Sequence, residues 1–147
     1  MPIAFLAMIS AGVLLIDQIS KFFLKDTNLL LIPGFIKLTG TTNTGIAFGA
    51  LSDTVWLLPL LTGLVTMSII LFIVKTKPQG LMAIGLALIV GGALGNLIDR
   101  LIYGSVIDFI ELLFIHFAIF NAADIAITVG CILCFIAILF LKEEAHV

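Results

Sequence analysis

Two aspartates stand where an aspartate is costly. Asp124 heads FNAADIAITVGCILCFIAILFL, the otherwise uncharged and mostly apolar stretch from Phe120 to Leu141, and Asp108 sits in GSVIDFI with apolar residues on both sides. A charge placed beside lipid or a core is expensive, and it persists when it has a partner or a task. Two carboxylates are sufficient for peptide hydrolysis: one takes a proton from a water, and the other gives a proton to the carbonyl oxygen.

Other chemistries have less to stand on. There is no HExxH motif, and His116 and His146 are isolated, so no metal ligand set and no cofactor is expected. Cys131 and Cys134 form a C-x-x-C in the apolar middle of the last run without a further ligand nearby. They read as buried small residues rather than a redox or metal pair. Neither a GxSxG elbow nor a Ser-Lys pair stands out.

The remaining polar residues fall into clusters. Asp17 and Lys21 are four apart and share a helix face, acid before base, as in a favourable helical ion pair. Asn96, Asp99 and Arg100 have the spacing i, i+3, i+4 on a second face, and Asn121 precedes Asp124 by three. Taken singly, each cluster is explained as an anchor or a cap, with Asn121 capping a helix and Asp124 in its first turn near the positive dipole end. Together with Asp108 they gather at one membrane face, which favours a shared polar site.

The elements that position these residues follow from composition. The chain has 147 residues, 62% hydrophobic and 11% charged, with a mean hydropathy of +1.33; these values describe an integral membrane protein. A hydrocarbon core about 30 Å thick needs roughly 20 apolar residues in a helix. Four such runs occur, at about 3–24, 55–74, 81–99 and 121–141, predicting an all-α membrane protein with four transmembrane helices in a single domain, 1–147. The first run lacks a basic leader and a small-x-small cleavage site, so it reads as a retained helix. The stretch LLLIPGFIKLTGTTNTGIAFGAL has apolar runs broken by Pro-Gly and Thr-Gly, predicting a small β-rich surface element over about 28–50. Residues 101–120 are too few to cross twice and too apolar for a free loop, and are expected to lie at the interface. Gly91 and Gly95 have the spacing that lets helices approach closely. Four spans put both termini on one side, but Lys75, Lys77 and Lys142 against Lys21, Lys25, Lys37 and Arg100 do not settle which side.

In order along the chain, IDQISK, NTGIAFG, GGALGNLIDR, GSVIDFI and FNAADIAITVG resemble the motif series of the lipoprotein signal peptidases (signal peptidase II), the membrane aspartyl proteases of bacteria. The resemblance runs from Asp17 to Gly130. It implies removal of the signal peptide from diacylglyceryl-modified prolipoproteins, just before the lipidated cysteine. By motif position it implies that Asp108 and Asp124 are the catalytic dyad, that Asn43, Asn96, Arg100 and Asn121 support the dyad and the bound peptide, and that Asp17, Lys21 and Asp99 are structural. It further implies no metal and no cofactor, prolipoprotein substrates and membrane lipid as the partners, and no nucleic acid. The implied location is the bacterial cytoplasmic (inner) membrane, multi-pass, with cytoplasmic termini and the site at the outer leaflet. The segment 28–50 would then form a lid over the extended peptide. One departure is visible: ELLFIHFAIFN is short and apolar where a Trp- or Pro-containing turn is expected before Phe-Asn, which bears on the shape of the 110–120 loop.

Two rivals from other classes fit part of the pattern. A proton-coupled transporter uses intramembrane carboxylates, but its relays lie near the midplane, whereas these groups gather at one end. A non-catalytic assembly subunit explains GGALG and the C-x-x-C but has no need of Asp108 and Asp124 together. Metal-independent cleavage of a lipidated prolipoprotein by the purified protein separates both from the protease.

Overall fold

The computed structural model describes residues 1–45 and 56–144. Its elements are α1 (Ile3–Leu24), β1 (Asn28–Ile32), β2 (Ile36–Asn43), α2 (Leu57–Thr76), α3 (Gly80–Tyr103), β3 (Val106–Leu112) and α4 (Ala122–Glu144). All four helices are long and apolar enough to cross a membrane. Their outward side chains are those that lipid solvates, among them Met8, Phe22, Phe23, Leu64 and Phe135, while the largest fully buried side chains are Lys21, Asn121, Asp17 and Asp99. Soluble proteins bury the opposite set. Here the polar groups turn inward because the exterior offers them no hydrogen bonds.

Helix α3 is the axis of the bundle and packs against the other three. In lipid there is no hydrophobic force to drive helices together, so small residues that admit close backbone approach must do it. Gly91 lies over Ser10 and Val13 of α1, Gly92 over Ala123 and Ile127 of α4, and Gly85 against Gly130; a Cβ on Gly91 would come within 2.6 Å of the Ser10 carbonyl oxygen. Ser10 Oγ of α1 donates to the Ala87 carbonyl of α3 at 2.8 Å. Gly95 faces the Asp17 carboxylate, which a methyl group there would overlap. The expected small-xxx-small pair is thus the α1–α3 seam.

Three helices differ in extent from expectation, α4 running on to Glu144 where 141 is expected. Helix α3 continues past 99 to Tyr103 and stops at Gly104 (φ +69), whose N–H bonds the Arg100 carbonyl. The charged NLIDR reads as a helix end, but Asp99 and Arg100 turn into the bundle and the helix has no reason to stop there. The second helix runs over Leu57–Thr76 rather than 55–74, and Val55 lies outside the described residues. The cysteines also differ: Cys131 is exposed on the outer surface of α4 and Cys134 is only half-buried. Apolar helices are exposed to lipid on one side, so an apolar setting in the sequence does not imply burial.

A three-stranded antiparallel sheet, ordered β1-β2-β3, closes the end of the bundle where α1 and α3 end and α4 begins. Pro33 and Gly34 (φ +76) make the β1–β2 turn, a backbone conformation that favours glycine. At the bulge in β2, Gly40 lies so close to the Lys25 carbonyl that no side chain fits, and its N–H bonds the Thr27 carbonyl at 2.8 Å. This stitches the sheet to the end of α1.

Strand β3 is absent from the sequence reading, which places residues 101–120 at the interface without assigning them a strand. Val106–Leu112 pairs with β2, Thr41 opposite Asp108 and Asn43 opposite Val106. Its pattern, VIDFIEL, lacks clean alternation because the strand is covered on both faces near Asp108, and its partner strand precedes α2. The rest of the segment folds back so that Phe120 pairs with Ile110, which delivers Asn121 to the start of α4. Of the expected β-rich segment 28–50, and of the NTGIAFG motif, residues 46–50 lie outside the described residues.

Candidate active site

Asp124 occupies the third position of α4, and its Oδ2 accepts the Asn121 N–H at 3.2 Å while Asn121 Oδ1 accepts the Asp124 N–H at 3.0 Å. This reciprocal pair is a capping box. The cap uses only one oxygen of Asp124. The other, Oδ1, accepts from Asn96 Nδ2 at 2.8 Å, so Asp124 is both a helix-start residue and a member of a wider network.

Asp108 reaches the same place from β3. Its Oδ1 accepts from Asn121 Nδ2 at 2.7 Å and its Oδ2 from Asn43 Nδ2, at the end of β2, at 3.2 Å. Asn121, wholly buried, thus touches both acids: through its backbone to Asp124 and through its amide to Asp108. Asn43 Oδ1 also accepts the Gly45 N–H at 3.0 Å, and Arg100 Nη2 donates to the Gly45 carbonyl at 3.1 Å. Arg100 Nε is buried without a hydrogen-bond partner among the described residues.

Behind these lies a second layer. Lys21 Nζ bridges Asp17 Oδ2 at 2.7 Å and Asp99 Oδ2 at 2.8 Å. Asp17 Oδ1 accepts the Ala123 N–H of α4 at 2.9 Å, and Asp99 Oδ2 accepts the Ile107 N–H of β3 at 3.2 Å. Gln18, which sequence reasoning passed over, donates to Asp99 Oδ1 at 2.9 Å and lies 3.3 Å from Asp17 Oδ2. Its place beside Asp17 in IDQISK was the available signal. All nine residues singled out in the sequence therefore meet in one connected cluster.

Asp108, Asp124, Asn43, Asn96 and Arg100 line a cavity of about 480 Å³ whose other walls are apolar except for Thr128, with Phe117–Phe120, Ile125 and Val129 among them. The apolar wall had no signal in the sequence, because every helix of this chain is rich in such residues. Among the described residues no three His, Cys, Asp or Glu side chains converge as a metal site requires. Burial pushes the Asp108 carboxyl up to about 6 from its ordinary 3.8; the Asp124 charge adds to this, and hydrogen bonds from Asn43 and Asn121 with the Lys21 charge oppose it.

That shift has a consequence for stability. As pH rises from about 4 to 6 the unfolded chain loses the Asp108 proton first, so the fold weakens, and above about 6 the full cost of roughly 3 kcal/mol is in place. Asn at this position cannot ionise but gives up the bond from Asn43, worth about 1 kcal/mol. Asp108→Asn therefore raises stability above pH 6 by about 2 kcal/mol, and toward pH 4 the gain gives way to a net loss of up to about 1 kcal/mol from the missing bond. Thermal unfolding in detergent across this range checks it.

Comparison with known proteins gives a consistent result. The family model described as signal peptidase (SPase) II matches residues 9–140. The lipoprotein signal peptidase of Lactococcus lactis subsp. lactis is 44% identical over 111 residues, 76% of this chain and 74% of that protein. That of Brevibacillus brevis is 36% identical over 129 residues, 84% of this chain and 87% of its own. That of Staphylococcus carnosus is 35% identical over 147 residues, covering 95% and 92%. A bacterial membrane enzyme solved by the in meso method at 2.3 Å resolution superposes with a TM-score of 0.89 at 31% identity, over 97% of this chain and 92% of that one. The chain belongs to the signal peptidase (SPase) II family.

Proposed function

We propose that this chain is an aspartic endopeptidase that removes the signal peptide of diacylglyceryl-modified prolipoproteins just before the lipidated cysteine, with Asp108 and Asp124 as its catalytic pair. The observation that carries this is that two acids from different elements, each held by an asparagine, line one cavity whose walls are otherwise mostly apolar. The names of the family and of its relatives supply the substrate class.

The mechanism uses one proton on the pair. Asp108, with its raised affinity for a proton, is the acid, and Asp124 is the base. A water held between them gives a proton to Asp124 as its oxygen attacks the scissile carbonyl carbon, and Asp108 gives its proton to the carbonyl oxygen, forming a neutral tetrahedral diol. The return steps pass a proton to the amide nitrogen, the C–N bond breaks, and the signal peptide leaves as a carboxylic acid while the cysteine keeps a free amine. Asn96 and Asn121 hold the two acids in orientation. Asn43 supports Asp108, and Arg100, a cation lining the cavity, holds peptide carbonyls. Asp17, Lys21 and Asp99 fasten the elements behind.

The physical setting supports this reading. A substrate anchored by acyl chains and an apolar signal helix stays in the bilayer, so the acids must be reachable sideways from lipid, and the apolar wall along α4 offers such a path. The termini are cytoplasmic and the site faces the outer leaflet. The sheet covers the extended peptide.

The test is cleavage by purified protein in detergent with a chelator present, comparing a diacylglyceryl-modified prolipoprotein with its unmodified form. The modified form is cut and the unmodified one is not, and kcat/KM falls as pH rises through about 6, where the free enzyme loses the Asp108 proton. Abolition of cleavage by the chelator overturns the aspartic mechanism, and failure to cut either form overturns the function.

A further inference from the structure

One ammonium group stands behind both acids. Lys21, 2% exposed, has three protons to donate and three acceptors in reach: Asp17 Oδ2 at 2.7 Å, Asp99 Oδ2 at 2.8 Å and Asn96 Oδ1 at 2.9 Å. Each acceptor leads on toward the cavity. Asp17 holds the N–H of Ala123, the residue before Asp124; Asp99 holds the N–H of Ile107, the residue before Asp108; and Asn96 donates directly to Asp124.

The third contact is the informative one. A buried lysine that served only to join α1 to α3 would be neutralised by Asp17 and Asp99. The bond to Asn96 does something else, because an amide has one face that accepts and one that donates, and an ammonium can only donate. Facing Lys21, Asn96 must present its oxygen, and its NH₂ is thereby turned to Asp124. Asn121 Nδ2 reinforces this by donating to the same oxygen at 3.1 Å. Without Lys21 only the longer Asn121 bond holds this orientation, and the amide turns over more readily, setting an oxygen against the Asp124 carboxylate.

We propose that Lys21 is a positioning residue for cleavage, selecting the orientation of the Asn96 amide that holds Asp124, while its ion pairs with Asp17 and Asp99 fasten the ends of α4 and β3. This rests on Asp108 and Asp124 being the reacting pair. Lys21 itself stays out of the cavity and touches neither the substrate nor the attacking water.

The experiment compares Lys21→Met, which cannot donate, with Lys21→Gln, whose amide can still donate to Asn96 Oδ1. Full-length protein in detergent is assayed on a diacylglyceryl-modified prolipoprotein, with kcat expressed per folded molecule. Misplacing a reacting group by about an ångström costs roughly a hundredfold, so Lys21→Met lowers kcat by about that factor with KM within about threefold, and Lys21→Gln recovers about tenfold of the loss. Because the effect passes through Asn96, Lys21→Met combined with Asn96→Ala is no more than about threefold slower than Asn96→Ala alone.

Three results overturn the proposal: unchanged kcat per folded molecule in Lys21→Met, equal losses in Met and Gln that multiply with the Asn96→Ala loss, or failure of both Lys21 variants to fold, which makes Lys21 a fastener only. Asp124→Asn, run alongside, separates the two levels. If it still cleaves, the catalytic pair is wrong and the positioning role falls with it. If it is silent while Lys21→Met cleaves normally, only the positioning role is wrong.

Discussion

Asp124→Asn leaves a folded protein that binds substrate and does not cut it. The amide keeps the size of the carboxylate and can accept from Asn96 or from the Asn121 N–H, so the start of α4 survives with a loss of about 1 kcal/mol. What it cannot do is take a proton from water. The fall in kcat is roughly 10⁴-fold or more, with substrate affinity held within a few fold. Asp108→Asn gives the same silence by removing the proton donor. The two differ in one respect, since Asp108→Asn also stabilises the fold above pH 6, as expected where a buried charge is kept for function. Measuring cleavage, binding and unfolding on the same preparations checks all three statements. An Asp124→Asn protein that still cleaves reduces Asp124 to a helix-start residue.

Asp17→Asn produces the opposite profile. Both oxygens of Asp17 accept, Oδ1 from the Ala123 N–H and Oδ2 from Lys21. An asparagine must turn its NH₂ toward one of these donors, whichever way it lies, so one bond is lost and two donors are pressed together in a fully buried site. The expected loss of stability is about 2–4 kcal/mol. Lys21 keeps Asp99 and Asn96, so the amide that orients Asp124 is still set, and kcat per folded molecule falls by less than about tenfold. Thermal unfolding and expression level report the first effect, and the cleavage rate of the folded fraction reports the second. A variant as stable as the parent contradicts the structural role given to Asp17.

How much of this could be read from the chain varies with the kind of signal. The four helices were legible because a bilayer imposes a length and an apolar composition. The polar clusters were legible because ionisable residues are so sparse here that i, i+3 and i, i+4 spacings stand out. The partners across elements were not. Nothing local in VIDFIEL says that its partner strand lies between α1 and α2, and nothing in NLIDR says that Asp99 turns inward to Lys21 rather than ending the helix. Asp124 shows the limit best: the spacing from Asn121 gave the cap, and the cap is present, yet its second oxygen is committed to Asn96 on another helix. The positions of Asn43 and Gly45 beside Asp108 and Arg100 likewise depend on sheet register, which a bulge in β2 shifts.

The central claim is that Asp108 and Asp124 act as one device, and the direct test is single-turnover cleavage of a diacylglyceryl-modified prolipoprotein by Asp108→Asn, Asp124→Asn and the double variant. Residues that share one proton do not contribute independently. Each single variant is predicted to lose nearly as much rate as the double, with bound substrate equal in all three. Losses that multiply in the double variant, or appreciable cleavage by either single one, contradict the paired mechanism.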